Sequence, residues 1–428
     1  MATSNPSPLN IIDSFRLLKG NTRVSVLFEP LWGIPYVLYN FYLSLYMKAQ
    51  GVTDVEIGFI IAIGAIASAF FSMFSGVLTD ALGRKRTTLI FDSISWPISI
   101  LIYLFSHNFW LFALATAVNS AVKIVSVSWN LMVVEDADAQ QQVAAYNLFN
   151  IINVSTGFLV PLAGLLVAKY GIICGERILL GYAAVSMSAM ILGRNHCYRE
   201  TRIGQQILAE HRHLGLKTIF KKNSYRQVWQ LLRNRRSLLL VFCLNVLFNA
   251  YIPIGTFTSL YYAPYLTEAL KLDRSAIAIL GGAGPAVMFL VAVLIIPGVA
   301  VARRLSTIIA GVGVQMLALA GLILIPAGHF YGTMLLIIFF AIGYSISKPF
   351  LDSMLAMATA GKERAGIYSL YNTSISILSA LLGLASGYLY KLHPALIYVT
   401  SIIILIACLG LLITSGRKCP EKAADCIG

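Results

Sequence analysis

The chain has 428 residues, 58% of them hydrophobic and only 12% charged, against about 25% charged in an ordinary soluble domain. That excludes a water-soluble globule. The net charge of +14 could suit a polyanion, but its placement along the chain gives it another use and calls for no nucleic-acid partner.

Charge is absent over long stretches, among them 93–122 and 305–347. A run of about twenty apolar residues crosses the ~30 Å hydrocarbon core as a helix, and a chain of this length holds about a dozen. A membrane barrel would need short segments of alternating polarity, which do not occur. Breaks at charges, Gly/Pro and Asn/Asp place six spans at about 24–48, 54–80, 87–106, 109–134, 143–168 and 175–194. Six more follow at about 237–266, 274–302, 306–326, 330–358, 365–390 and 394–415. The domain reading is a leader at 1–23, a first six-helix bundle at 24–194, a linker at 195–236, a second bundle at 237–415 and a tail at 416–428. Within the linker, Tyr225, Val228, Trp229 and Leu232 recur at helical spacing opposite Arg226, Arg233 and Arg236. That pattern predicts a short amphipathic helix on the membrane surface.

The leader has no apolar stretch ending in a small-residue cleavage site, so no removable signal peptide is expected. Of the 32 Lys and Arg, 24 fall in the leader, Arg84–Arg86, the segment from Arg194 to Arg236, Arg303 and Arg304, Lys362 and Arg364, and the tail. All of these lie on one side if both termini do. The positive-inside bias makes that side the cytoplasm, and a multi-pass plasma-membrane protein is expected. The six cysteines show no metal or redox spacing and are expected to be free thiols, with no metal and no cofactor.

Two local matches suggest that the halves repeat. Tyr146–Asn150 reads like Tyr368–Asn372, and Tyr46 and Asp54 match Tyr265 and Asp273 at a similar offset. Between the second and third spans the chain reads Gly76-Val77-Leu78-Thr79-Asp80-Ala81-Leu82-Gly83-Arg84-Lys85-Arg86. Gly76 is expected to permit close helix approach and Gly83 the tight turn. The run resembles the signature loop of the major facilitator superfamily, G-x-L-x-D-x-x-G-R-K/R. The resemblance implies an all-α membrane protein of twelve helices in two pseudo-symmetric six-helix bundles. It also implies a cytoplasmic ion-pair latch of Asp80 and Arg84 with Glu135, Asp136 or Asp138. The matching loop of the second half, Gly298 to Leu305, has Ala302 where an Asp would stand. In the fifth span, Gly157, Pro161 and Gly164 partly match a glycine-rich stretch of drug:proton antiporters, and the same residues also suit ordinary kinking and packing.

An ionisable group at bilayer depth costs roughly 2.5–3.5 kcal/mol on insertion scales, so each needs a cavity or a partner. Lys123 and Lys348 lie near the middles of spans 4 and 10 and are substrate-site candidates, with Asp352 four residues after Lys348 on the same helical face. Glu29, Asp92 and Asp352 are candidate proton carriers. For Asp92, pairing with the Arg84–Arg86 loop is the nearer explanation. Trp32, Tyr36, Tyr39, Asn40, Trp129, Asn130, Asn147, Asn150, Asn249, Tyr344, Tyr371 and Asn372 fall on the helices that line the cavity in the superfamily, and suit a small polar or amphiphilic ligand. Tyr46, Tyr261, Tyr262 and Tyr265 are read as interface anchors.

No P-loop, zinc pair or catalytic constellation is visible, so an enzyme is not expected. The sequence therefore reads as a monomeric secondary active transporter that moves a small organic solute by alternating access. Coupling to protons is expected, and the glycines of span 5 lean toward efflux. Uptake of an organic anion, a uniporter or lipid flippase of the same fold, and a non-transporting receptor stay open.

Overall fold

A computed structural model of the chain describes residues 11–211, 229, 232–256, 259–295, 304–358 and 364–418. Among them, nine helical segments are long and apolar enough to cross a membrane. One of these, the 54-residue Ala144–Cys197, is two crossings. Its continuity breaks at Gly171, where φ 79° and ψ 166° lie in a region that is essentially glycine-only. Beyond it the chain doubles back, and a Cβ on Gly175 would stand 3.0 Å from the Val167 Cα. The shorter apolar helix Ser275–Val291 and the 30-residue helix Gly20–Ala49 complete twelve crossings among the described residues.

Helix starts follow from side chains that satisfy the first free backbone N–H groups. Thr53 and Glu56 form a reciprocal capping box ahead of Asp54–Leu82. Asn108, Asp138 and Asp273 accept from Leu111, Gln141 and Ala276 N–H at 3.0, 2.8 and 3.1 Å. The third crossing runs as Arg84–Ser93, a π-helical turn Ile94–Ile98 and Ser99–Phe105. The π turn surrounds Pro97, whose missing N–H loosens the helix there.

The twofold repeat is visible in how the halves are tied. Tyr46, on the first crossing, donates to the Ser106 carbonyl just past the third, at 3.2 Å. Tyr265 donates to Leu322, near the end of the ninth, at 2.9 Å. These tyrosines are therefore not interface anchors. Tyr46, Tyr261, Tyr262 and Tyr265 are at most 4% exposed, because all four rings join the core and the hydroxyls of Tyr46, Tyr261 and Tyr265 find carbonyl acceptors.

The halves meet where the second crossing packs along the eleventh and the fifth along the eighth. Glycine permits both contacts. A Cβ on Gly58 would lie 2.6 Å from the Gly383 carbonyl and 2.9 Å from the Gly387 Cα, so only hydrogen side chains allow the backbones this close. Gly157 abuts Pro285 and Gly164 abuts Ala278 in the same way. At the end away from the termini, Lys48 pairs with Asp54 at 2.7 Å and with Glu268 at 2.5 Å. Tyr390 donates to Glu268 at 3.0 Å and Tyr261 to the Asp54 carbonyl at 3.0 Å. That end is sealed across the two halves.

One expectation fails here. A Cβ on Gly76 would meet nothing within 4 Å, so this glycine serves no close approach in this arrangement. Tyr225, Arg226 and Val228 of the expected amphipathic helix lie outside the described residues, and the described linker helix is Arg202–His211.

Gly171→Ala tests the reversal. Open space surrounds the missing Cβ, so the cost is backbone strain of about 1–3 kcal/mol, seen as a lower midpoint in thermal unfolding of the detergent-purified protein. An unchanged midpoint would mean that the backbone there is not held.

Candidate functional site

The loop after the second crossing is built on Gly83, whose φ 85° and ψ 158° again fit glycine alone. The turn swings Arg84 inward, where it is 3% exposed. Its guanidinium meets Asp80 at 3.0 Å and Glu135, at the end of the fourth crossing, at 3.0 Å. Asp136 does not join it. That carboxylate is exposed and accepts from the Arg202 N–H at 3.3 Å. Two linker residues that the sequence did not single out complete the cluster. Glu200 accepts from the backbone N–H of Arg84 and Lys85, each at 3.0 Å, and Thr201 donates to Glu135. A polar linker residue looks like any solvated one in sequence, so nothing flagged them.

Deeper in the same half, Asp92 contradicts the expected pairing with Arg84–Arg86. Arg84 is committed to Asp80 and Glu135, and Asp92 lies about two turns farther along the helix. Its partner is Arg194 of the sixth crossing. Asp92 and Arg194 are 2% and 6% exposed. In the sequence Arg194 reads as one of the linker's basic residues, because it stands at the edge of that charge run. The Trp96 side chain also hydrogen-bonds Asp92.

Glu29, 7% exposed, lies within electrostatic reach of this pair and hydrogen-bonds Asn153 of the fifth crossing. It has no ion pair of its own among the described residues. Glu29, Trp32, Asp92, Trp96, Val122, Val125, Ser126, Trp129, Met190 and Arg194 enclose a cavity of about 230 Å³. Trp32 stacks on Tyr36 at 5.1 Å between centroids and meets Trp96 edge-on at 5.4 Å. The indole N–H groups of Trp32 and Trp129 are buried and have no hydrogen-bond partner. Buried donors are nearly always satisfied, and among the described residues these two belong to side chains that line one cavity. Arg194 and Trp96 are the site residues that sequence reading missed.

The remaining candidates sit elsewhere. Tyr39 is 2% exposed and packs edge-on against Tyr36 at 5.8 Å, so it belongs to the core rather than to an open cavity. Asn40 is half-buried, and Asn130, which accepts from Tyr146, is exposed. The side chains of Asn147 and Asn150 lie outside the described residues. In the second half, Lys348 pairs with Asp352 one turn on, with 24% and 47% of their side chains exposed. Asn249 donates to Tyr371 at 2.8 Å, Tyr344 stacks between Phe248 and Phe340, and Asn372 is exposed. Lys123 has an exposed side chain on the fourth crossing and no ion pair among the described residues. Cys174, Cys197, Cys243 and Cys408 are free thiols, while Cys419 and Cys426 lie outside the described residues.

Comparison with known proteins places this geometry. Residues 33–349 match the family model of the Major Facilitator Superfamily. The chain belongs to that superfamily. Its members are secondary transporters that carry small solutes, and this chain is a multi-pass membrane protein of that kind. The fold is similar to the crystal structure of a mutant form of the nucleoside transporter NupG, with a TM-score of 0.71 at 12% identity, over 92% of this chain and 100% of that one. It is also similar to the inward-open xylose transporter XylE from E. coli, with a TM-score of 0.66 at 14% identity, over 90% and 94%. The peptide transporter POT in complex with sulfate gives 0.66 at 12% identity, over 98% and 100%. At these identities the likeness is one of fold. No curated protein matches the sequence.

The buried pair can be tested apart from transport. Arg194→Ala leaves Asp92 buried without its partner and should cost about 3–5 kcal/mol of stability. Asp92→Asn with Arg194→Gln should recover most of it. Thermal unfolding of the superfamily protein in detergent reads both, and an Arg194→Ala midpoint equal to that of the native chain would contradict the pairing.

Proposed function

We propose that this superfamily member is a proton-coupled carrier of the plasma membrane. Both termini face the cytoplasm, and the solute is small, uncharged and rich in hydroxyl or ring oxygens. The orientation is supported by the 24 of 32 basic residues on the terminal side. The observation that carries the solute class is the cavity around Glu29, where two unpartnered indole N–H groups and three tryptophan faces surround an unpaired carboxyl. Indole faces suit the apolar face of a sugar or heterocycle, and the vacant donors suit its oxygens. At about 230 Å³ the cavity falls below the ~300–1,000 Å³ usual for ligand pockets, which favours a solute of about monosaccharide size. Similar folds with solved structures include a nucleoside transporter and a xylose transporter, in line with this class.

Glu29 is the group that would couple protons to movement. When ionised it competes with Asp92 for Arg194; when protonated it releases Arg194 to Asp92 alone and presents a neutral donor to the solute. With the far end sealed, the solute enters or leaves on the cytoplasmic side in this state. The Arg84 cluster braces the cytoplasmic end of the first half, joining the second and fourth crossings to the linker, and leaves the path between the halves clear. Efflux loses its main support, because Gly157 and Gly164 are occupied in packing against the eighth crossing. Lys123 keeps a second reading in view, since its ammonium could receive an organic anion. Lys348 supports that reading less, being neutralised by Asp352.

Proteoliposomes with an acidic exterior test the proposal against a panel of nucleosides, pentoses, hexoses and organic anions. The expected result is accumulation of an uncharged member of the panel, collapsed by a protonophore. Glu29→Gln should reduce gradient-driven accumulation to background while counterflow exchange continues. Movement that ignores the protonophore and Glu29→Gln would mean a uniporter or flippase. Accumulation of organic anions alone, lost in Lys123→Ala, would mean an anion carrier.

A further inference from the structure

Glu176 stands five residues past the reversal at Gly171, on the sixth crossing, and is 0% exposed. Neither of its carboxyl oxygens has a hydrogen-bond partner, and no ion pair involves it among the described residues. The groups that face it are known from the elements packed around it. From the first crossing, the Tyr39 hydroxyl lies within electrostatic reach of Glu176, and Tyr36 and Tyr103 surround that same hydroxyl. On its own helix, the neighbouring Arg177 turns away, with Nε 3.4 Å from the Tyr46 hydroxyl. Among the described residues, therefore, no cation reaches the carboxyl. An ionised carboxylate so placed would cost several kcal/mol, so the group is held as the neutral acid. An apolar residue of similar volume would avoid even the penalty of an unsatisfied hydroxyl. A titratable group kept at such a place in a membrane helix points to use rather than to packing.

Its position says what the use is. Tyr46, beside Arg177, lies two residues before Lys48 on the first crossing, and Lys48 holds the far-end seal through Asp54 and Glu268. Glu176 lies just beneath that seal, whereas Glu29 lies in the cavity toward the opposite end of the same helix. We propose that Glu176 is a second proton-binding site of this carrier. It is closed off in the sealed state and exchanges its proton with the outer compartment when the Lys48–Glu268 contact opens. The inference rests on the proton-coupled reading for its purpose, and on Glu176 alone for its chemistry. Proton binding is the whole step. The proton is taken from water of the outer compartment and returned as the free ion, with no other bond made or broken.

Infrared absorption spectra of the purified, substrate-free protein, recorded separately in acidic and in alkaline buffer and each compared with the same spectrum of the variants, provide the test. In the native chain, a protonated-carboxyl stretch should persist into alkaline buffer. It should vanish in Glu176→Gln and remain in Glu29→Gln. In Lys48→Ala, which loosens the seal, the same band should disappear as the pH is raised. If Lys48→Ala does not fold, as judged by circular dichroism, Glu268→Gln opens the same contact. Loss of no carboxyl band in Glu176→Gln would show that the group is ionised and overturn the proposal. A band that resists alkali in the folded seal variants would show an inert structural acid and overturn it equally. Because no solute is present, these outcomes stand whether or not Glu29 couples transport. The Glu29 reading fails instead by protonophore-insensitive movement in liposomes.

Discussion

A charged side chain withdrawn from water without a partner costs several kcal/mol, and within a hydrocarbon layer no solvent relieves it. The placement of charge in this chain follows from that constraint, with a useful difference between pairs. Arg194–Asp92 and Arg84–Glu135 lie wholly within one half and have side chains no more than 7% exposed. Breaking either would strand a buried charge, so they hold their half rigid. Lys48–Glu268 joins the two halves, and its side chains are 18% and 40% exposed. Water takes over when such a pair separates, and exposed pairs are worth only about 0–1 kcal/mol. Strong pairs thus keep the first module intact, and a weak one closes the gap between modules, which is what a carrier that opens alternately to two sides requires.

Close backbone approach supplies the rest of the seal. Gly58 lies against Gly383 and Gly387, and Gly157 and Gly164 against Pro285 and Ala278. Contacts of this kind rest on van der Waals packing over small residues and leave few bonds to break when the halves part. The same glycines account for the partial antiporter pattern of span 5 without any appeal to transport direction.

How much was legible in the sequence depends on the range of the interaction. The twelve crossings follow from charge-free runs, and Gly171 fell where a connection was expected. Lys348 and Asp352 are four residues apart on one helix, so their spacing announces the pairing. Asp80 and Arg84 stand on either side of the Gly83 turn and are flagged instead by the resemblance of their loop to the superfamily signature. Asp92–Arg194 spans 102 residues, and no local rule could prefer Arg194 over the nearer Arg84–Arg86. Glu176 passed unnoticed because Arg177 follows it and the two look like a solvated loop pair. Only the fold shows that the arginine turns to Tyr46 while the carboxyl turns inward. The tyrosines near the far end misled for a related reason. An amphipathic ring suits a membrane interface or a buried hydroxyl with a carbonyl acceptor equally well, and Tyr46 and Tyr265 chose the second.

Three of the chain's five tryptophans surround Glu29 in a small, partly polar cavity of the first half. Intrinsic tryptophan fluorescence of the purified protein, titrated with nucleosides and pentoses, reads that cavity most directly. The expected result is a saturable change in emission with one of these solutes, removed by Trp129→Phe and weakened when Trp32 is changed to Phe. A saturable change that survives both substitutions, or that appears only with charged solutes, would contradict it.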